Sequence, residues 1–315
     1  MAHVVYLNTV TRFNWIAFCE LNRDFDDSLS FGMTKPKGIA VLAFLLALVA
    51  WPRPGLTDKI RSRSAQSESK VFVGFDRNEY PGDDALPVLR KSFSFSGYWL
   101  TSAPNTSQNT WTGKRNALRE QGFGFLLLAK ARPVSTIQSD SNKKGLSDAQ
   151  EAARNAEREG FHAGTIIFLD VEEGGRLPIQ FHAYLQSWAD ELARHGFKPG
   201  IYCSGMPAND GNGRKIVTAD NIRANMGKRE ISYWVVNDAC PPSHGCTSVD
   251  LIGPAKSGVE YSTVWQFVRS PRSRETALEC AGYAKDENCY AALDTAHRWH
   301  LDLDVANSSD PSLSQ

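Results

Sequence analysis

A (β/α)8 barrel of the TIM type is the fold this sequence predicts, and three observations predict it. Eight short apolar runs recur between Val71 and the C-terminus, helical patterns fall between the earlier ones, and acidic residues collect at the ends of the runs. Short apolar runs alternating with helical segments indicate a parallel sheet. Eight such units close a barrel, and an open doubly wound sheet is the alternative.

The runs are VFVGFD from Val71, SGYWL from Ser96, FGFLLLAKA from Phe123, GTIIFLDVE from Gly164, KPGIYCSG from Lys198, ISYWVV from Ile231, STVWQF from Ser262 and HLDLDV from His300. TIIFLDV and FLLLAK are continuously apolar rather than alternating, as strands buried on both faces become. Ser147 and Gln150 form a capping box ahead of one helical pattern, and Gly160 stands where its C-cap belongs. Phe181, Tyr184, Leu185, Trp188 and Leu192 make one apolar stripe, which Gly196 terminates. The late crossovers are less helical, with ANDGNGRK and two cysteine loops in their place. No internal repeat and no Gly-rich phosphate fingerprint is present.

The chain has 315 residues, and its hydrophobic share of 42% suffices for a large core. Lys plus Arg balances Asp plus Glu at 35 each. With no basic excess, nucleic acid is not an expected partner, and a neutral or mildly charged molecule is.

The first seventy residues have a different character. Gly38 to Trp51 is an unbroken apolar run preceded by Lys35 and Lys37. It is shorter than the roughly 20 residues a spanning helix needs, and it matches the h-region and n-region of a secretory signal. Met33 opens that signal, so residues 1–32 are expected to be an upstream extension or start-site artefact. Residues 33–55 are then a signal peptide or uncleaved anchor, 56–70 a polar linker, 71–307 the barrel and 308–315 a tail. An uncleaved anchor is the only membrane attachment expected, and the expected location is secreted, periplasmic or cell-envelope.

Cysteine usage agrees with export. Cys240 and Cys246, and Cys280 and Cys289, each bracket a short polar loop, as local disulfides do in oxidising compartments. A zinc site using His244 is the rival, but these spacings are wider than structural zinc pairs usually show. Cys203 lies in an apolar run and reads as a buried free thiol.

The acids carry the chemistry. The first run ends in Asp76, the fourth in Asp170-Val171-Glu172-Glu173, and the eighth contains Asp302 and Asp304. Alternation along a strand puts Asp170 and Glu172 on one side, Asp302 and Asp304 on one side, and Glu173 on the other. Buried carboxylates are costly without a purpose; a cluster raises the pKa of one member and leaves an acid beside a base. Glycosidic cleavage uses that arrangement. The structural alternative is pairing with Arg77, Lys130 or Arg132, or Glu173 capping a loop. Trp99, Tyr202, Trp234, Trp265 and Trp299 lie in or beside runs, where aromatic faces suit sugars but also fill cores.

Together GFDRNEYP, IIFLDVEEG, YWVVN, VWQF and LDLDVAN resemble the family 25 muramidase-type glycoside hydrolases. They are more similar still to the glycoside-hydrolase-like domains once listed as a domain of unknown function (DUF1906). The resemblance runs from Val71 to Asn307 and implies a barrel acting on peptidoglycan glycan. It implies Glu172 as general acid, Asp170 orienting the substrate acetamide, and Asp76 and Asp302 as flanking acids. Trp99, Tyr202, Trp234, Trp265, Gln266 and Asp304 are expected to contact substrate. Where the family usually has Asn, this chain has Asp304, and Glu173 is an additional acid. A chitinase-type D-x-x-D-x-D-x-E run would need Asp at Thr165 and Phe168 and is absent. The expected function is hydrolysis of a cell-wall amino-sugar glycan, with no metal or organic cofactor; a non-catalytic glycan-binding barrel is the alternative.

Overall fold

Runs that stay apolar until their last residue can be buried on both faces and end in a charge only where the sheet meets solvent. That property organises the computed structural model, which describes residues 70–137, 139–238, 252–269 and 301–315. The strands are β1 (Phe72–Asp76), β2 (Phe95–Trp99), β3 (Gly124–Lys130), β4 (Ile166–Asp170), β5 (Lys198–Ser204), β6 (Pro207–Asn209), β7 (Lys215–Val217), β8 (Ser232–Val236), β9 (Val264–Val268) and β10 (Asp302–Ala306). Eight of them close a barrel in the order β1-β10-β9-β8-β5-β4-β3-β2, while β6 and β7 form a separate hairpin. That hairpin is what the Asn-Gly-rich crossover folds into.

One strand departs from the expectation of a wholly parallel barrel. β10 runs antiparallel to both its neighbours, with Asp76 opposite Asp302 and Gly74 opposite Asp304. Asp302 therefore reaches the mouth from the start of its strand, not from its carboxyl end.

The helices include α1 (Leu86–Leu89), α2 (Arg115–Glu120), α3 (Ser141–Glu159), α4 (Ile179–Arg194) and α5 (Thr218–Asn225). In α4 the five-residue stripe predicted from the sequence is buried, and Gly196 takes a positive φ of 83° just past its end. In α3 the expected capping box fails: the helix starts six residues before Ser147, and Gln150 donates to Glu191 at 2.8 Å instead of capping. The predicted stop holds, because Gly160 adopts the left-handed C-cap. The start extends back because Gly145, buried within α3, lets the helix lie directly on α4.

The expected tail is part of the barrel floor. Below the point where β3 and β4 pair, residues 310–314 insert between them. Phe125 N donates to Asp310 Oδ1 at 2.9 Å, Leu127 N to Ser312 Oγ at 2.8 Å, and Ile166 N to the Ser312 carbonyl at 2.7 Å. Ser312 and Ser314 are fully buried there. These bonds satisfy strand amides that would otherwise be orphaned.

Cys203 is a buried free thiol on β5, and burial pushes its pKa up. The expected disulfides Cys240–Cys246 and Cys280–Cys289, His244, Trp299, and the expected extension and signal segment lie outside the described residues.

A Cβ on Gly145 would collide with the Tyr184 carbonyl and lie 3.0 Å from the Trp188 amide. Both are backbone atoms and cannot rotate away. Gly145→Ala is therefore expected to destabilise by about 1–3 kcal/mol from overpacking, although helix propensity alone would favour Ala by about 1 kcal/mol. Urea unfolding reads the sign directly.

Candidate active site

β1 delivers Asp76 to the barrel interior at its last residue, and Gly97 on β2 makes room for it. A Cβ on Gly97 would lie 2.6 Å from the Asp76 Cβ. The carboxylate is then held from across the barrel: Gln266 Nε2 donates to Asp76 Oδ2 at 2.7 Å, and the Tyr202 hydroxyl donates to Gln266 Oε1 at 2.8 Å. Tyr202 and Gln266 are separated by β8, and Gln266 and Asp76 by β10, so both bonds run through the interior rather than along a sheet face.

Asp304 lies behind this chain of bonds. It is fully buried, its Oδ1 accepts Trp234 Nε1 at 3.0 Å, and no hydrogen-bond donor meets its Oδ2. Two ionised carboxylates side by side without a counter-ion are strongly disfavoured, so one of the pair keeps a proton. Burial first, then the Asp76 charge and a hydrogen bond to Asp76, hold the Asp304 carboxyl well above the usual carboxylate range. Burial likewise pushes Asp76 up to about 6, opposed by the hydrogen bonds from Gln266 and Asp304. Both shifts point upward, so the pair keeps a proton between its two carboxyls. The proton also answers for the otherwise orphaned Oδ2.

Asp170 ends β4 between Lys130 on β3 and Tyr202 on β5. It is buried, and its Oδ2 has no hydrogen-bond partner. Burial raises its pKa well above the ordinary value, the charges of Glu172 and Asp76 raise it further, and Lys130 opposes them. The Tyr202 phenol is held up by burial and by the fields of Asp170, Asp76 and Asp302.

A cleft of about 300 Å³ opens beside Asp170, lined also by Lys130, Pro104, Glu172 and Glu173. Glu172 is exposed at this mouth. β4 ends at Asp170, so strand alternation stops there and Glu173 is not turned away as expected: it lines the same cleft. Its Oε1 accepts the Val134 amide at 2.6 Å, which pins the 3-10 turn Val134–Thr136. Of the charged alternatives for the acids, Lys130 lies beside Asp170 and opposes its shift, while Arg132 and Arg77 do not. Arg132 forms a bidentate pair with Asp148, and Arg77 makes no ion pair among the described residues.

The structure thus brings Asp76, Asp170, Glu172 and Asp302 to one end of the barrel. It corrects the expectation for the aromatics and their neighbours. Trp99, Trp234 and Trp265 are at most 3% exposed, so none offers a stacking face. Trp99 Nε1 is bonded to the Arg77 carbonyl, Trp234 Nε1 to Asp304, and Trp265 Nε1 to the Asn237 carbonyl. Trp265 belongs to the opposite strand face from Gln266. Gln266 and Asp304 are buried as well and support Asp76 instead of reaching outward, while Tyr202 spends its hydroxyl on Gln266. Sequence reasoning also passed over Gly97 as the opening for Asp76; its only signal was a glycine inside an apolar run. Among the described residues no group of three or more His, Cys, Asp or Glu is placed to hold a metal ion.

Comparison with known proteins follows the same lines. Residues 96–245 match the family model of the Rv2525c-like, glycoside hydrolase-like domain. An uncharacterised protein of B. stearothermophilus superposes with a TM-score of 0.51 at 18% identity, covering 75% of this chain and 95% of that one. This likeness shows the fold. Two further structures are similar to a lesser degree. The Mycobacterium tuberculosis Tat-secreted protein Rv2525c gives 0.45 at 11% identity over 78% of this chain and 98% of that one. The Clostridium perfringens spore cortex lytic enzyme SleM gives 0.47 at 15% over 76% and 68%. No functionally curated protein matches the sequence.

The Asp76 shift has a definite sign. A carboxyl whose folded pKa exceeds its ordinary 3.8 contributes stability below that value and loses it as pH rises through about 6. Unfolding free energy of the wild type minus that of Asp76→Asn, followed by urea titration, is expected to fall across this window. A difference that stays flat contradicts the buried pair.

Proposed function

From a barrel in a chain whose residues 96–245 match a glycoside hydrolase-like family model, we propose that this protein is exported and hydrolyses an amino-sugar glycan of the cell wall. The observation that carries the reading is the convergence of Asp170 and Glu172 on one open cleft, backed by Asp76 and Asp302. The apolar run Gly38–Trp51 supports export.

In this reading Glu172, at the solvent edge, protonates the glycosidic oxygen as its bond to the anomeric carbon breaks. The substrate's own 2-acetamido oxygen attacks that carbon, one of the substrate-assisted exceptions to the two-carboxylate scheme. Asp170, beneath, takes the acetamide N–H and fixes its angle. Water then opens the cyclic intermediate and returns its proton to Glu172. Lys130, facing Asp170 from β3, moderates the negative charge that accumulates there. Asp76 and Asp302 complete the acidic wall. Burial of Asp170 favours one variant of the scheme, in which Asp170 holds the transferable proton and Glu172 takes the supporting role.

Purified peptidoglycan incubated with the folded protein, with released fragments identified by mass spectrometry, tests the proposal. Glu172→Gln keeps shape but has no proton to give, and is expected to cost about 10²-fold or more in rate. Asp170→Asn is expected to lose rate too. Glu173→Gln keeps an acceptor for Val134 and is expected to change little. If Asp170→Asn is the more damaging and Glu172→Gln stays active, the inverted assignment holds. Glycan binding without any released fragment would establish the non-catalytic barrel instead.

A further inference from the structure

The end of the barrel opposite the acids holds a cleft of about 610 Å³, larger than the one beside Asp170. Ile166, Lys198 and Ser232, the first residues of β4, β5 and β8, line it, which places it at the barrel floor. Four cations converge there. Lys198 opens β5, Arg223 belongs to α5, and Lys228 and Arg229 come from the loop between α5 and β8. Among the described residues Glu230 is the one acid in the lining. In a chain with equal numbers of acidic and basic residues, this is a local excess.

Arg229 is spent within the fold, since its Nε and Nη2 donate to the two oxygens of Asp190 on α4, each at 2.7 Å. Lys198, Arg223 and Lys228 are exposed, and none of the three forms an ion pair among the described residues. Arg223 is nonetheless held in place. Its guanidinium carbon lies 4.0 Å from the centre of the Tyr261 ring, and the Tyr261 hydroxyl donates to Asp220 Oδ1 at 2.7 Å. Stacking on a ring orients a guanidinium without using its N–H donors. Leu313, also in the lining, is 46% exposed at a positive φ of 53°, a backbone region that bulky residues avoid. Three like charges around one hollow repel each other, and an anion bound among them relieves that repulsion.

We propose that this floor cleft is a second binding site, which takes a phosphate ester of a polyol. A carboxylate has two coplanar oxygens, and a single guanidinium fork satisfies both. A phosphoryl group holds its free oxygens in a tetrahedral arrangement, so it is met best by cations from separate directions, as Lys198, Arg223 and Lys228 on three different segments supply. Bare phosphate would leave Glu230 facing an anion, whereas the alcohol part of an ester gives that carboxylate hydroxyl donors. Ser232 offers a further hydrogen bond to the same hydroxyls, and Leu313 an apolar surface to the carbon skeleton. Two sources share this chemistry: a soluble polyol phosphate polymer, and the glycerol phosphate headgroup of a phospholipid. The site does not depend on the reaction at the mouth.

Calorimetric titration of the full chain with glycerol 3-phosphate, sulfate and glycerol tests the site, alongside sedimentation with vesicles of phosphatidylglycerol or phosphatidylcholine. Glycerol 3-phosphate is expected to bind, sulfate to bind more weakly and glycerol not at all. Lys198→Gln and Lys228→Gln combined are expected to weaken the ester about tenfold or more with the urea midpoint unchanged. Lys143→Gln, an exposed change on α3 outside the cleft, is expected to leave binding as it was. A preference for phosphatidylglycerol over phosphatidylcholine that the double variant loses assigns the site to a membrane headgroup. Ester binding without that preference assigns it to a soluble polymer. If the double variant weakens neither ester nor phosphatidylglycerol binding, if sulfate binds as tightly as the ester, or if Lys143→Gln costs as much, the site is overturned.

Discussion

Gln266 accepts from the Tyr202 hydroxyl and donates to the Asp76 carboxylate, and the mouth of the barrel is organised around that double contact. An amide gives and accepts at its two ends, so it can join a phenol to a carboxylate without adding charge. Because the bonds reach over intervening strands, they also fix the spacing of β1, β5 and β9. Asp304 and Trp234 complete the arrangement from below, and a proton shared between Asp304 and Asp76 removes the cost of two adjacent buried anions. Replacing Gln266 by an apolar residue would leave both the Tyr202 hydroxyl and Asp76 unmatched in the interior, a penalty far larger than one hydrogen bond.

Outward from this support the acids become progressively wetter. Asp304 is sealed, Asp76 and Asp170 are nearly so, and Glu172 stands in the open cleft. Burial holds Asp304, Asp76 and Asp170 toward their protonated forms. Glu173 contributes differently. By holding the Val134 amide it fixes the turn that forms one wall of the cleft.

Much of this was legible in the sequence. Continuous apolar runs marked the barrel strands, and the terminal acids of runs one and four marked the mouth, because a buried strand tolerates a charge only where it emerges. The direction of β10 was not legible. Asp302 and Asp304 share a face whichever way the strand runs, so the pattern LDLD is blind to it. The roles of the tryptophans were hidden for a related reason. A ring beside a strand end reads alike whether its N–H turns inward to Asp304 or a face turns outward to a sugar, and here the former holds for Trp234. Glu173 misled because alternation was carried three residues past the end of β4. The true start of α3 depended on Gly145 touching α4, a contact between helices that local capping rules do not see.

The shared proton is the claim on which the reading of the mouth turns, and infrared difference spectroscopy of the carboxyl C=O stretch addresses it most directly. At neutral pH the wild type should show a protonated, buried carboxyl band, part of which disappears in Asp304→Asn while the fold is retained. A spectrum in which every carboxyl is ionised at neutral pH, or in which Asp304→Asn removes no protonated component, would contradict the account.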